Sequence, residues 1–171
     1  MAFFVMVNGR HGMFVFEIIV LCLLFFVLCF LGTGSDEKNL KNYSSYPNEV
    51  QDRIKSIDEY SGRFKEGNKL RAFIANFVLF TIVFLIFGIF IREKSFAANF
   101  THILIMGQVL NIFDLVVIDL WWWRRTSRIR FTKIPQRELY QSPKKHIDSF
   151  VRALIMYVLV AVVVGYILTL F

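Results

Sequence analysis

An all-α integral membrane protein, a four-helix bundle with a cytoplasmic amphipathic helix, is the fold this sequence predicts, and three observations predict it. Of its 171 residues, 56% are hydrophobic and only 19% charged, whereas soluble domains run at about 45–50% apolar. Four apolar runs each reach the ~20 residues needed to cross a ~30 Å hydrocarbon core. The charges gather between those runs instead of spreading over a water-facing surface. Backbone groups left unpaired in lipid are prohibitive, so such runs must be helices. The ~10-residue alternating segments of a membrane barrel are absent.

The first run is Met13 to Gly32, interrupted only by Glu17. It is read as an uncleaved span. A signal peptide with Arg10 and His11 as its basic region would have too long an apolar core, and no small-residue cleavage site follows. Leu28 also stands where a lipid-attachment signal at Cys29 wants a small residue. Met1 to Asn8 is apolar but short and is expected to pack at the interface, and Met13 is an alternative start. Cys22 and Cys29 read as small apolar side chains on that helix.

The other spans run from Ala72 to Ile91, from Phe96 to Trp123, and from about Phe150 to Phe171. The whole chain then reads as one membrane domain with long loops at about 33–71 and 124–149, and no globular domain of its own. Within the first loop, 32–45 is polar and expected to be irregular. Pro47 suits the first position of a helix, and Asn48, Glu49 and Asp52 load its first turn. Val50, Ile54 and Ile57 recur at helical spacing, so Pro47 to about Ser61 is predicted to be an amphipathic helix docked on the protein.

Orientation follows from the basic residues. The two long loops hold eight Lys or Arg each, and the opposite side has only Arg10, Arg92 and Lys94. By the positive-inside rule the long loops are cytoplasmic and both termini lie outside. Trp121, Trp122 and Trp123 run into Arg124 and Arg125, the pattern of an interfacial anchor where a helix leaves the hydrocarbon. The net charge of +7 lies beside one membrane face, which points to anionic lipid headgroups and not to nucleic acid. No cofactor motif and no metal-ligand spacing is present.

Chemistry concentrates in the third span. With Asn111 set at zero, Gln108, Asp114 and Asp119 fall within a stripe of roughly 140° at α-helical spacing. Such a stripe must face protein or a water-filled cavity. One reading is structural: Arg152, a turn into the fourth span, pairs with Asp119 or Asp114, while Asn111 and Gln108 bond across helices. The other makes Asp114 a protonatable or cation-binding group, with Asn111 and Asp119 completing the site. Glu17 and Asn76 read as packing polar groups. His102 lies on the opposite helix side, and His11, His102 and His146 are expected at different levels.

The segments Tyr46–Gln51, Asp114–Asp119 and Trp121–Arg125 resemble a group of small, uncharacterised four-span membrane proteins of Gram-positive bacteria, over about two-thirds of the chain. The resemblance implies a bacterial plasma membrane and supplies no activity and no functional residue. The function expected from the sequence is non-enzymatic, an accessory or regulatory subunit binding another membrane protein, a second copy, or anionic lipid. The alternative is a small oligomeric proton- or cation-coupled transporter. A lipid-modifying enzyme would need a reactive cluster assembled across helices.

Overall fold

The computed structural model describes residues 2–170, with side chains described from Gly12 onward. Arg10, His11 and the expected interfacial packing of Met1–Asn8 lie outside the described side chains, as does Phe171 at the end of the expected fourth span. Among the described residues the structure is helical, with one isolated bridge between Phe131 and Ile134 as the only β pairing. Four helices are long and apolar enough to cross a membrane, so this is a multi-pass membrane protein.

In chain order the elements are α1 (Ala2–Leu31), α2 (Asp36–Lys41), α3 (Asn48–Ser56), α4 (Lys69–Ile91), α5 (Phe96–Phe113) and α6 (Lys144–Leu168). A π-helical segment (Asp114–Trp123) continues α5 without a break, and short 3-10 turns sit at Tyr43–Ser45 and Arg137–Tyr140. The Asn68 side chain caps α4, accepting from the N–H of Leu70 at 2.9 Å and of Arg71 at 3.2 Å. At the opposite end, Asn99 clamps the α4–α5 turn: its Oδ1 accepts from Glu93 N at 2.7 Å and its Nδ2 donates to Glu93 O at 2.8 Å.

The bundle core lies mainly between α4, α5 and α6. Phe84, Ile103, Met106, Val160 and Val164 are fully buried there. Small residues let the helices close. A Cβ on Gly165 would lie 3.0 Å from the Phe100 backbone, and one on Gly107 would lie 2.9 Å from the Tyr157 ring. Helix α1 packs only lightly on this trio, burying Glu17, Leu21 and Cys22 and leaving Phe16, Leu24 and Leu28 exposed as lipid-facing side chains.

The two long loops are not open connectors. They fold together on a second buried core of Tyr43, Tyr46, Val50, Ile54, Tyr60, Ile129, Phe131, Ile134 and Tyr140, closed against the bundle by Trp123. This headpiece corrects the expectation of a chain without a globular part. Tyr46 is its hub: its ring lies 5.1 Å from Phe131 and 5.2 Å from Trp123, and its hydroxyl donates to Ile129 O at 2.8 Å. The segment expected to be irregular carries α2, started by Ser35, whose hydroxyl accepts from Lys38 N at 3.4 Å. Gly34 turns the chain at φ +106°, and a Cβ there would strike the Arg128 guanidinium at 2.6 Å. That guanidinium ties the loops to α1, donating to Phe30 O at 3.1 Å and Thr33 O at 2.9 Å.

Helix α3 buries Val50 and Ile54 but ends at Ser56, short of the expected Ser61. Ile57 takes an extended backbone conformation and breaks the ladder. Tyr60 then turns inward, its hydroxyl bonded to the Asp36 carboxylate while accepting from Lys133 N at 3.3 Å. Helix α6 begins at Lys144, well before the expected Phe150, with Pro143 as the residue that starts it.

Gly165→Ala is expected to cost about 1–3 kcal/mol, because a backbone neighbour cannot move aside as a side chain can; the midpoint of thermal unfolding in detergent measures it. Burial, helped by the Asp36 hydrogen bond, pushes the Tyr60 phenol from about 10 up to about 12. The native state therefore holds that proton more tightly than the unfolded chain, and this stability, complete below pH ~10, is lost as pH rises through ~12. Tyr60→Phe should flatten that alkaline loss in unfolding midpoints taken between pH 8 and 12.

Candidate functional site

The site forms where the third span changes helix type. In an α-helix Asp114 and Asp119 would point roughly 140° apart. In a π-helix residues five apart are the hydrogen-bonded pair, so these two carboxylates come onto one face. They lie close enough for their charges to interact. Both line a cavity of about 1100 Å³ bounded by α1, α4, the π segment, α6 and the headpiece.

Asp119 is held by a residue that sequence reasoning set aside. Its Oδ1 lies 2.8 Å from His146 Nδ1, and both side chains are largely buried. Because α6 starts early, His146 sits in its first turn, level with Asp119. Trp123 packs edge-on to the imidazole at a ring separation of 5.4 Å. An Nδ1–H donated to the Asp119 carboxylate leaves Nε2 as the free end of the ring. Among the described residues Nε2 has no hydrogen-bond partner. The signal that could have found this pair was Pro143, a start mark for the helix that presents His146.

The rest of the stripe is divided. Asn111 Nδ2 donates to Phe150 O at 3.2 Å and Gln108 Nε2 to Leu154 O at 3.2 Å, so both amides are bonded across to α6. The Asp114 carboxylate, half-buried on the cavity wall, makes no hydrogen bond or ion pair among the described residues. Arg152 does not pair with either aspartate. It is exposed, and its guanidinium donates to Ser149 Oγ at 2.9 Å. The two residues are one helical turn apart on α6, so this local bond leaves Arg152 at the cavity rim.

The tryptophan triplet separates in the same way. Trp121 is half exposed, with Arg125 over its ring at 5.6 Å. Trp122 packs on Phe26 and Phe30 of α1. Trp123 is buried in the headpiece core, so the interfacial-anchor reading holds no place for it. Arg124 uses its carbonyl to accept from Arg137 Nε at 3.2 Å and Gln141 Nε2 at 3.3 Å.

Away from the cavity, Glu17 is buried with Oε2 unpartnered, and His102 packs at 5.1 Å on Phe14. Asn76 is exposed and lines the cavity. No three His, Cys, Asp or Glu side chains among the described residues converge as a metal ion requires. Beyond Asn111 the bundle is sealed by Met106, Ile103, Phe84, Val160 and Val164, all with essentially no exposure.

Chemically, an Asp–His pair can orient an imidazole as a base or as a hydrogen-bonding group. A nucleophile–base arrangement needs a hydroxyl or thiol within reach of Nε2, and among the described residues none is there. Comparison with known protein families, with curated proteins and with solved structures finds no match for this chain.

Asp119→Ala should cost about 1–3 kcal/mol by leaving a buried imidazole N–H without an acceptor. Arg152→Ala should stay within ~0.5 kcal/mol, as for exposed side chains generally. Thermal unfolding of both variants in one detergent decides between this pairing and the one expected from sequence.

Proposed function

We propose that this chain is a non-enzymatic plasma-membrane protein, an accessory or regulatory subunit that works by binding another membrane protein. In this reading both termini lie outside and the headpiece, carrying the two basic loops, is cytoplasmic. The charge ratio of sixteen to three across the membrane supports that sidedness. The observation that carries the subunit reading is the sealed outer half of the bundle. A carrier or channel working as one chain would need a continuous polar path, whereas Gln108 and Asn111 are bonded to α6 carbonyls and Phe84, Ile103, Met106, Val160 and Val164 fill the bundle beside them.

What the chain offers instead is surface. A folded headpiece presents a defined shape to a partner, which loose loops would not, and less ordering entropy is then lost on binding. The lipid-facing sides of α1 and α4 add two apolar faces available to a neighbouring span. One observation favours a second reading: Asp114 stands unpartnered beside the Asp119–His146 pair, as a proton- or cation-coupled oligomeric transporter would require.

Native mass spectrometry after gentle extraction from the host membrane tests the first reading. A heteromeric complex of fixed stoichiometry is expected. A chain found only alone or with copies of itself would overturn it, and flux through proteoliposomes, abolished in a folded Asp114→Asn variant, would establish the second.

A further inference from the structure

We propose that the inner end of the cavity, between Asp114 and His146, binds the primary ammonium group of an amphipathic molecule. The lining holds as many carboxylates as Lys and Arg side chains, so total charge selects no ligand and placement decides. At the mouth the charges are met by their opposites or by solvent. Lys55 is paired with Glu66 at 3.4 Å, and Lys69 and Lys144 are exposed at the starts of α4 and α6. Glu49 and Asp148 are exposed as well.

Farther in, the balance is one-sided. Asn111 is bonded to Phe150 O and Asp119 to His146, so Asp114 lies level with α6 between those two residues, past Lys144 and Lys145. Arg152 follows on α6, but its guanidinium turns back to Ser149 Oγ at 2.9 Å. Asp114 and Asp119 act on each other and on the Cys29 thiol of α1, which places them together. The Asp114 carboxylate has no partner among the described residues, and Asp119 has a second oxygen beyond its His146 contact.

Two carboxylates alone would not define a site, and His146 supplies the independent observation. It lines the cavity at 7% exposure with Nε2 unpartnered among the described residues. In a neutral ring that gives its Nδ1–H to Asp119, Nε2 is an acceptor. Against these acceptors stands one orphan N–H on the neighbouring ring, that of Trp123. A ligand with several N–H donors and a positive charge satisfies both the carboxylate and the imidazole. Metal binding is disfavoured, since no three His, Cys, Asp or Glu side chains converge among the described residues. Phe25, Phe73, Ile118 and Met156 line the same space, so the body that carries the ammonium is apolar. This names a ligand class for the transporter reading without depending on transport.

The full-length chain in detergent can be titrated by calorimetry with 2-phenylethylammonium, its N-trimethyl analogue and phenylacetate. One phenylethylammonium per chain is expected, bound about tenfold or more tightly than either analogue. Asp114→Asn should weaken it about tenfold. His146→Asn keeps a donor for Asp119 but loses Nε2, and should weaken it about fivefold. Glu37→Gln, exposed and outside the cavity, should leave it unchanged. Unfolding midpoints confirm that the variants are folded, and the three ligands on the unaltered chain decide the matter even where one is not. Equal binding of the trimethyl analogue, tighter binding of phenylacetate, or full affinity in folded Asp114→Asn would overturn the assignment. In phosphatidylcholine nanodiscs, competition by added phosphatidylethanolamine would make the membrane the source of the amine, and its absence would make the source soluble; both keep the assignment. A chain that proved to have no protein partner would defeat the subunit reading and leave this result standing.

Discussion

The register of α5 and its π extension on α6 is the constraint on which the rest of the structure depends. Within a bilayer, helices gain no hydrophobic advantage from meeting each other, so close packing and interhelical hydrogen bonds decide how they align. Here Gln108 and Asn111 donate to α6 carbonyls, and Asp119 takes the Nδ1 side of His146. Gly107 and Gly165 permit the approach by leaving room for Tyr157 and Phe100. A slip of one residue would orphan two amides and a buried imidazole together, at about 1–3 kcal/mol each. Interactions that are individually modest thus specify one alignment because they fail together.

That alignment has consequences at both ends. Towards Gly165 it brings α5 and α6 into close contact, with Ile103, Val160 and Val164 filling the space between them. Towards Trp123 it delivers a tryptophan into the headpiece core, against Tyr46 and His146. One π segment therefore does two things. It turns Asp114 and Asp119 to one wall, and it carries Trp123 off the lipid-facing belt that its neighbour Trp121 still occupies. Long π stretches are rare and tend to occur at functional places; the one here lies at the junction of cavity, headpiece and membrane.

What could be read from the sequence was whatever depends on composition and period. The four apolar runs needed only hydropathy and length, and the Asn111 and Gln108 bonds across helices followed from the cost of a bare amide in lipid. The losses have physical causes. The assumption of 100° per residue concealed the shared face of Asp114 and Asp119, since nothing in Asp114–Trp123 marks a change of hydrogen-bond period. Arg152 looked like the partner for Asp119 because the fourth span was counted from its first apolar residue, whereas the helix starts at Pro143 and places His146 at the right level. The headpiece escaped notice because its core is assembled from tyrosines scattered through polar segments. Tyr43, Tyr46, Tyr60 and Tyr140 bury their rings while three of their hydroxyls, those of Tyr46, Tyr60 and Tyr140, find partners, so no periodic apolar pattern announces them.

The lysines separate two requirements that a sequence cannot distinguish. Topology asks only that cations lie in the loops on one side, and any position within about 15–20 residues of a span would serve. The fold goes further, bringing Lys55, Lys69 and Lys145 from three helices to one mouth. Like charges so placed destabilise the folded chain by themselves, and long flexible side chains on exposed loops could have spread apart at no cost. Their convergence is imposed by the headpiece, which docks α3 over the starts of α4 and α6 through Tyr46 and Trp123. The same mouth gathers Glu49, Glu66 and Asp148, with Lys55 paired to Glu66, so the headpiece offsets that repulsion with carboxylates of its own chain.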